Sequence, residues 1–247
     1  MRPQSSRSPR RRSTAPNGGR VHDNVLRVLA GWILGGRYAP GTLLPREDDL
    51  AATLKVSRTS LREGIRVLSA KGLLEARPRV GVRVRSQEDW QVLDPLVLLW
   101  FPDLRQDPIL IASLIEARRI IEPAAAELAA QRASAADLAS IEAAWIGMCN
   151  SIPQNLEACC DADLAFHAGI IAASRNVVLR NLAGTIAAAL RAVFAITNQL
   201  MTTQSRALAA HGEVLECIRL RDGVGARAAM ERLLAIAEND LGQGGIE

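Results

Sequence analysis

The sequence lacks an uninterrupted run of roughly 18 apolar residues, the length that a membrane-spanning helix needs. Its arginine-rich start also lacks the apolar core that a secretory signal carries. Both absences predict a cytoplasmic protein that has no membrane span. The 247 residues are enough for one large domain or two ordinary ones.

Cysteine is scarce, and no two cysteines have the Cys-x-x-Cys spacing of many metal and redox sites. All four lie in stretches rich in Ala and Leu, where a free cysteine acts as a small apolar residue. They are Cys149, Cys159, Cys160 and Cys217. We therefore expect free thiols in a reduced cytosol.

Lysine is almost absent, because only Lys55 and Lys71 occur and the other positive charges are arginines. A guanidinium can bind phosphate or a guanine edge through two hydrogen bonds. Residues 1–85 carry 18 Lys and Arg against 6 Asp and Glu, whereas residues 86–247 carry 12 against 20. A basic front and an acidic rear predict a module that binds a polyanion, joined to a module with another task.

Residues 56–72, VSRTSLREGIRVLSAKG, have the periodicity of an amphipathic helix. Ser57 precedes the apolar pattern at the position of an N-cap, and Gly72 follows it where such a helix ends. The apolar face consists of Leu61, Ile65 and Leu68.

The opposite face of this helix carries Arg58, Thr59 and Arg62, and no acidic residue lies between them. Arg is well matched to the O6 and N7 atoms of guanine, and residues at the start of a recognition helix reach base edges. For an isolated helix, a basic face exposed to solvent would be the simpler explanation. The neighbouring segments favour DNA recognition instead.

Two further helices are predicted ahead of this one. The first starts at Asn24 and ends at the glycines 35–36. Its buried face consists of Leu26, Leu29 and Ile33. The second starts at Pro45 and carries three acidic residues in its first turn. Its tight connection to residues 56–72 is typical of a helix-turn-helix.

Two β-prone pieces, residues 73–76 and 82–84, come next and are joined by RPRVG. A hairpin in this place is the wing of a winged helix-turn-helix. Arg77, Arg79 and Gly81 would let side chains and backbone approach the minor groove or the phosphates. A turn exposed to solvent explains the two arginines equally well.

The predicted organisation has four parts. Residues 1–20 are a basic tail that we expect to be disordered, and residues 21–85 are the winged helix-turn-helix. Residues 86–106 are an aromatic linker, and residues 107–242 are helical throughout. Helix breaks are predicted near Ser134, Pro153, 174–176, 202–203 and 222–223. The predicted fold class is mainly α, with a small β wing in the front domain and an all-α bundle of about six helices behind it.

Residues 36–75, GRYAPGTLLPREDDLAATLKVSRTSLREGIRVLSAKGLLE, resemble the DNA-binding domain of the GntR superfamily of bacterial regulators. Over about residues 22–240, the order of the pieces is similar to the FadR branch, whose effector domain is of the all-helical FCD type. The resemblance implies a homodimeric repressor that binds a palindromic operator in double-stranded DNA. The family's base and phosphate contacts correspond here to Arg58, Thr59, Ser60 and Arg62, and its wing glycine corresponds to Gly81. The DNA-binding candidates are these five residues together with Arg46, Arg77 and Arg79.

Two positions depart from the family's pattern. Asp48 stands where an Arg is often used for DNA contact, and Arg46 stands where Ser or Ala is common. We therefore expect an operator sequence that differs from the better-known sites.

Two segments of the rear half, EARRIIEPAAAELAAQRA and DLAFHAGIIAASRN, resemble the first helix and the metal-binding helix of the FCD domain. Asp163 and His167 lie four residues apart on one helical face, and His211 corresponds to a third ligand position. The resemblance implies that these residues hold a divalent ion, Zn, Ni or Mn. Leu233 occupies the family's fourth ligand position, so water or the effector would complete the coordination. A site without metal is the alternative.

The family's pocket arginine corresponds to Arg118, whose planar fork suits a carboxylate, and Arg191 and Asn198 are further effector candidates. An ordinary salt bridge from Arg118 to Glu122 within one helix is the alternative. The linker EDWQVLDPLVLLWF and the segment RAVFAITN are similar to members of the family that regulate D-galactonate catabolism. This implies a small carboxylate effector, a sugar acid such as D-galactonate. A different organic acid is the alternative.

Two other functions are possible from the same residues. A metal-dependent hydrolase or lyase would use Asp163, His167 and His211 to activate water, but no acidic residue has a compelling position as its general base. An architectural DNA-binding protein without an effector would use the helical half only to dimerise. The DNA-binding pattern favours a regulator and not an enzyme.

Overall fold

The computed structural model describes the backbone of residues 18–103, 107–197 and 201–243. Residues 1–17 of the expected tail, and the effector candidate Asn198, lie outside this part of the chain. Within it, no helix is both long enough and apolar enough to cross a membrane.

Helix α1 (Gly18–Leu34) opens the first of two compact units, Met1–Trp90. The predicted apolar face is buried, with Leu29 fully inaccessible and Ile33 1% exposed. The predicted start at Asn24 was wrong, because the helix already includes residues 18–20. Once an amphipathic segment is packed, each further residue adds a backbone hydrogen bond at little cost, so polar residues can extend the helix.

Helix α2 (Glu47–Leu54) begins after the predicted Pro45. Arg46 occupies the N-cap in an extended conformation (ψ 146°), and its carbonyl accepts a hydrogen bond from the Leu50 amide at 2.9 Å. Pro45 therefore lies ahead of the helix. Lys55, in the left-handed region at φ 55°, ends it.

Helix α3 (Arg58–Ala70) packs its apolar face against α1 and α2. As predicted, Ser57 is its N-cap, and the hydroxyl accepts a hydrogen bond from the Ser60 amide at 3.1 Å. Gly72 follows the helix at φ +79°, and a Cβ at this position would lie 2.1 Å from the carbonyl oxygen of Asp89. Only glycine fits this turn without a shift of the backbone.

Strands β1 (Leu74–Arg77) and β2 (Gly81–Val84) form the predicted hairpin, with β1 shifted by one residue at both ends and β2 starting one residue earlier. They pair antiparallel, with Glu75 opposite Arg83. The segment ahead of α2 lies along β2, where the Leu44 amide donates to the Val82 carbonyl at 2.8 Å. The wing is therefore held to the body of the unit by backbone hydrogen bonds.

The second unit, Gln91–Glu247, is helical in the part that the structure describes, as predicted. One short helix is followed by six long ones, namely α4 (Pro95–Trp100), α5 (Pro108–Arg132), α6 (Ala135–Ser151), α7 (Leu156–Ala173), α8 (Val177–Thr197), α9 (Met201–Arg219) and α10 (Gly223–Gln243). Helix α6 packs mainly on α7, and α10 packs on α5 and α9. The core between them is built from aliphatic and small residues around the fully buried Phe166.

Polar caps explain most of the breaks between these helices. Ser134 and Asp137 form a capping box at the start of α6, and the Asn155 side chain accepts from the Ala158 amide at the start of α7. The break predicted near residues 202–203 falls close to the start of α9 at Met201, and residues 198–200 lie outside the described part of the chain.

The linker divides between the two units. Trp90 is buried in the first unit, where its indole N–H donates to the Arg85 carbonyl at 3.2 Å. The next residues belong to the second unit, in which α4 packs on α8. There the Thr185 hydroxyl donates a hydrogen bond to the Leu93 carbonyl.

Candidate DNA interface and metal centre

The start of α3 presents the predicted DNA-contacting side chains at the surface. Arg58, Thr59 and Arg62 are exposed. Ser60 is half-buried, and its hydroxyl lies 2.9 Å from the Ser57 hydroxyl. Leu61, Ile65 and Leu68 are spaced four and three residues apart and form the buried face of α3, so Thr59 and Arg62 lie outside that face.

Both arginines contact carboxylates from the first turn of α2. Arg58 Nε lies 2.8 Å from Asp48 Oδ1, and Arg62 Nε lies 2.7 Å from Glu47 Oε2. The hydrogen bond to Glu47 raises the pKa of Arg62. Local sequence patterns missed these pairs, since they indicated only that acidic residues favour a helix start. The crossing of two helices brings the charges together.

The remaining DNA candidates are exposed on the same unit. Arg46 occupies the N-cap position of α2, and Arg79 lies at the tip of the wing with φ 65°. Arg77 and Arg83 both contact Glu75, at 3.1 and 2.6 Å. Gly81, the other wing candidate, has φ +119° and open space where a Cβ would be.

In the second unit, Asp163 and His167 on α7 lie beside His211 on α9. One ligand atom from each lies within 4.8 Å of the others, and all three side chains are largely buried. Asp163 Oδ1 is 2.9 Å from His211 Nε2 and 3.8 Å from His167 Nε2. The predicted metal ligands are therefore close enough to share one ion.

The outer ring nitrogens of both histidines have protein partners. His211 Nδ1 lies 2.7 Å from the Ala207 carbonyl, so this nitrogen carries the proton. His167 Nδ1 contacts the Glu122 carboxylate. Partners at Nδ1 orient metal-binding imidazoles and leave Nε2 for the ion. His211 Nε2 is buried and makes no hydrogen bond of normal geometry with the described residues, so the three side chains suit a divalent transition ion.

Glu122 joins this cluster to Arg118. Arg118 Nε donates to Glu122 Oε1 at 2.6 Å, and both residues are buried. Burial raises the pKa of the Glu122 carboxyl, but Arg118 and His167 outweigh it and bring the pKa to about 2. Burial likewise raises the pKa of Asp163, and His211 and His167 bring it to about 2. Both acids are therefore ionised at neutral pH.

The contact of Glu122 with His167 was missed at the sequence level, where Glu122 was only a helical partner of Arg118. Arg191 lies half-exposed with its guanidinium 3.2 Å from Asp161 Oδ1. Leu233, the position predicted to correspond to a fourth ligand, is an apolar side chain buried at 4% exposure.

Comparison with known families identifies the class of protein. Residues 22–84 match the model of the bacterial regulatory proteins of the gntR family, and residues 113–235 match the FCD domain. The chain belongs to the GntR family of DNA-binding transcriptional regulators. The prediction of a regulator with a winged helix-turn-helix and a helical effector domain, and not of an enzyme, is confirmed.

Among its relatives is the galactonate operon transcriptional repressor of Escherichia coli K12, with 35% identity over 89% of this chain and 96% of that protein. The regulator LutR of Bacillus subtilis 168 is 30% identical over 85% of this chain and 95% of its own length. A GntR structure from Streptococcus agalactiae is 27% identical and has a TM-score of 0.50 over 89% of this chain and 99% of that one. Lar of Listeria monocytogenes, at 19% identity, has the same fold with a TM-score of 0.66 over 94% of this chain and 99% of that one.

Proposed function

We propose that this regulator is a cytoplasmic homodimeric repressor of a sugar-acid catabolic operon, released from a palindromic operator by a small carboxylate such as D-galactonate. The observation that carries the proposal is the buried group formed by Arg118, Glu122, Asp163, His167 and His211 in the FCD domain. Buried polar groups in such number are costly unless they serve a ligand or one another. The E. coli relative, named as a repressor of the galactonate operon, indicates the sugar acid.

A divalent ion, Zn, Ni or Mn, would be held by Asp163, His167 and His211. Their donor set is two imidazole nitrogens and one carboxylate oxygen, and Leu233 adds no ligand. When bound, the ion supplies a positive charge that an effector carboxylate can approach. Contacts with Glu122 and with the Ala207 carbonyl orient the two rings.

Arg118 would bind a carboxylate oxygen of the effector. Its Nε is already held by Glu122, which keeps the guanidinium in one orientation beside the histidines. An effector shifts the equilibrium between DNA-binding and released arrangements only by the difference in its affinity for the two. Arg191, on α8, is the candidate for a second contact with the effector.

The experiment is an operator titration followed by fluorescence anisotropy, with and without D-galactonate, D-gluconate and L-lactate. We expect two chains per operator and a weaker operator affinity in D-galactonate. Arg118→Lys keeps the charge but loses the planar fork, and we expect it to reduce the response to D-galactonate about tenfold or more while operator binding without effector is retained.

His167→Ala and His211→Ala should each reduce the metal content, measured by elemental analysis of the purified protein. Arg191→Ala tests the second candidate contact, and Arg227→Lys is the matched control for Arg118→Lys, since Arg227 is 43% exposed and pairs with Glu127 at 2.7 Å. Operator affinity that is unchanged by every sugar acid in the panel would disprove the effector proposal. Full metal content in both histidine variants would disprove the metal site.

A further inference from the structure

The four charges at the start of α2 and α3 form two matched ion pairs. Asp48 contacts Arg58, and Glu47 contacts Arg62, at 2.8 and 2.7 Å. In both pairs the carboxylate meets the Nε edge of the guanidinium. The group as a whole carries no net charge, although it lies at the tip of the helix that reads DNA.

These pairs contribute little to folding. The side chains of Asp48 and Arg58 are 62% and 67% exposed, and exposed ion pairs are weak because water and salt screen them. What a carboxylate on Nε does is restrict the orientation of a long, flexible side chain. The two Nη groups at the far end are the donors that can meet guanine O6 and N7 together.

We propose that Asp48 is a specificity-determining residue of DNA recognition: it holds Arg58 by Nε, so that the Nη end is presented to a guanine, and it reduces the attraction of the same arginine for phosphate. The inference depends on the DNA-binding function of the family and not on the effector. Two physical effects follow. A fixed Arg58 loses less rotamer freedom on meeting its base, and a neutral helix tip binds non-operator DNA less tightly.

The test compares Asp48→Ala and Asp48→Asn with Asp49→Asn. Asp49 lies next along the same turn of α2, so its replacement removes an equal charge while the Asp48–Arg58 pair stays. Binding sites are selected from a randomised operator library, and affinity for non-operator DNA is measured over a range of salt concentrations. Circular dichroism establishes that each variant is folded.

For Asp48→Ala, we expect the guanine preference at one position of each half-site to fall roughly fivefold to tenfold. Non-operator DNA should bind more tightly, and the slope of log K against log salt concentration should become more negative by about one, which corresponds to one additional phosphate contact. Asp48→Asn should give a smaller change of the same sign, and Asp49→Asn should leave the base preference unchanged.

The same selection in an Arg58→Ala background separates positioning from direct contact. We expect Asp48→Ala to have no further effect there, because the side chain that Asp48 positions is gone. If Asp48→Ala still alters the base preference in that background, Asp48 contacts a base itself and the proposal is overturned. Equal effects of the Asp48 and Asp49 variants, or an unchanged guanine preference in Asp48→Ala, would overturn it as well.

Discussion

Replacing Glu122 by Gln tests whether the buried charges of the FCD domain depend on one another. The substitution preserves shape but removes the charge that faces Arg118 at 2.6 Å, where the two side chains are 1% and 5% exposed. Arg118 then loses the carboxylate that accepts its hydrogen bond in the interior. Losing one partner of a buried pair costs about 3–5 kcal/mol, and we expect the lower end because Gln still offers a hydrogen-bond acceptor.

The measurement is guanidinium chloride unfolding followed by circular dichroism, with a metal chelator present for every variant. Glu127→Gln is the control, because Glu127 and Arg227 form a pair of similar length, 2.7 Å, whose side chains are 33% and 43% exposed. That change should cost about 1 kcal/mol or less. A loss of stability in Glu122→Gln no larger than in the control would refute the reasoning.

The pH dependence of protein stability tests independently whether the charge of Glu122 is stabilising. The pKa of Glu122 is about 2 in the folded protein, below its ordinary 4.5. Such a group stabilises the fold fully above its unfolded pKa, and this stabilisation is lost as the pH falls through the folded pKa. The difference in stability between the wild type and Glu122→Gln should therefore shrink between about pH 4.5 and pH 2.

Two further predictions concern the backbone. Gly72→Ala should destabilise the first unit by roughly 1–3 kcal/mol, since it combines a left-handed φ with a Cβ 2.1 Å from the Asp89 carbonyl oxygen. The matched control is Gly36→Ala, because Gly36 has a similar φ of +78° but open space where the Cβ would lie. If thermal unfolding gives equal losses of stability for the two variants, the clash with Asp89 does not contribute to the cost. Ser134→Ala should lower the free energy of unfolding by about 1 kcal/mol, because the capping box of α6 is lost. The control is Ser140→Ala, which replaces an exposed serine within the same helix. If denaturant unfolding shows no larger loss for Ser134→Ala than for the control, the cap does not stabilise the helix.

Much of the DNA-binding unit was predictable because its signals are local. Ser57 and Gly72 mark the ends of α3, and the spacing of Leu61, Ile65 and Leu68 marks its buried face. Each of these features depends on residues within one or two turns of each other. The helix-turn-helix and the wing follow from such short-range patterns.

The contacts that pass between helices were not predictable in the same way. The pairing of Arg58 with Asp48 depends on how α3 crosses α2, and the contact of Glu122 with His167 joins α5 to α7. The spacing of apolar residues along the sequence contains no information on the distance between two helices. The position of His211 could be anticipated only through family resemblance, because it lies on a third helix.

The division of the linker has a mechanical consequence. Trp90 is anchored by its hydrogen bond to Arg85, and Leu93 is anchored by Thr185 of α8. Three peptide steps separate the two anchors, and an extended chain covers at most about 11 Å in that distance. A connection this short has little slack, so both contacts persist only while Leu93 stays within that distance of Trp90.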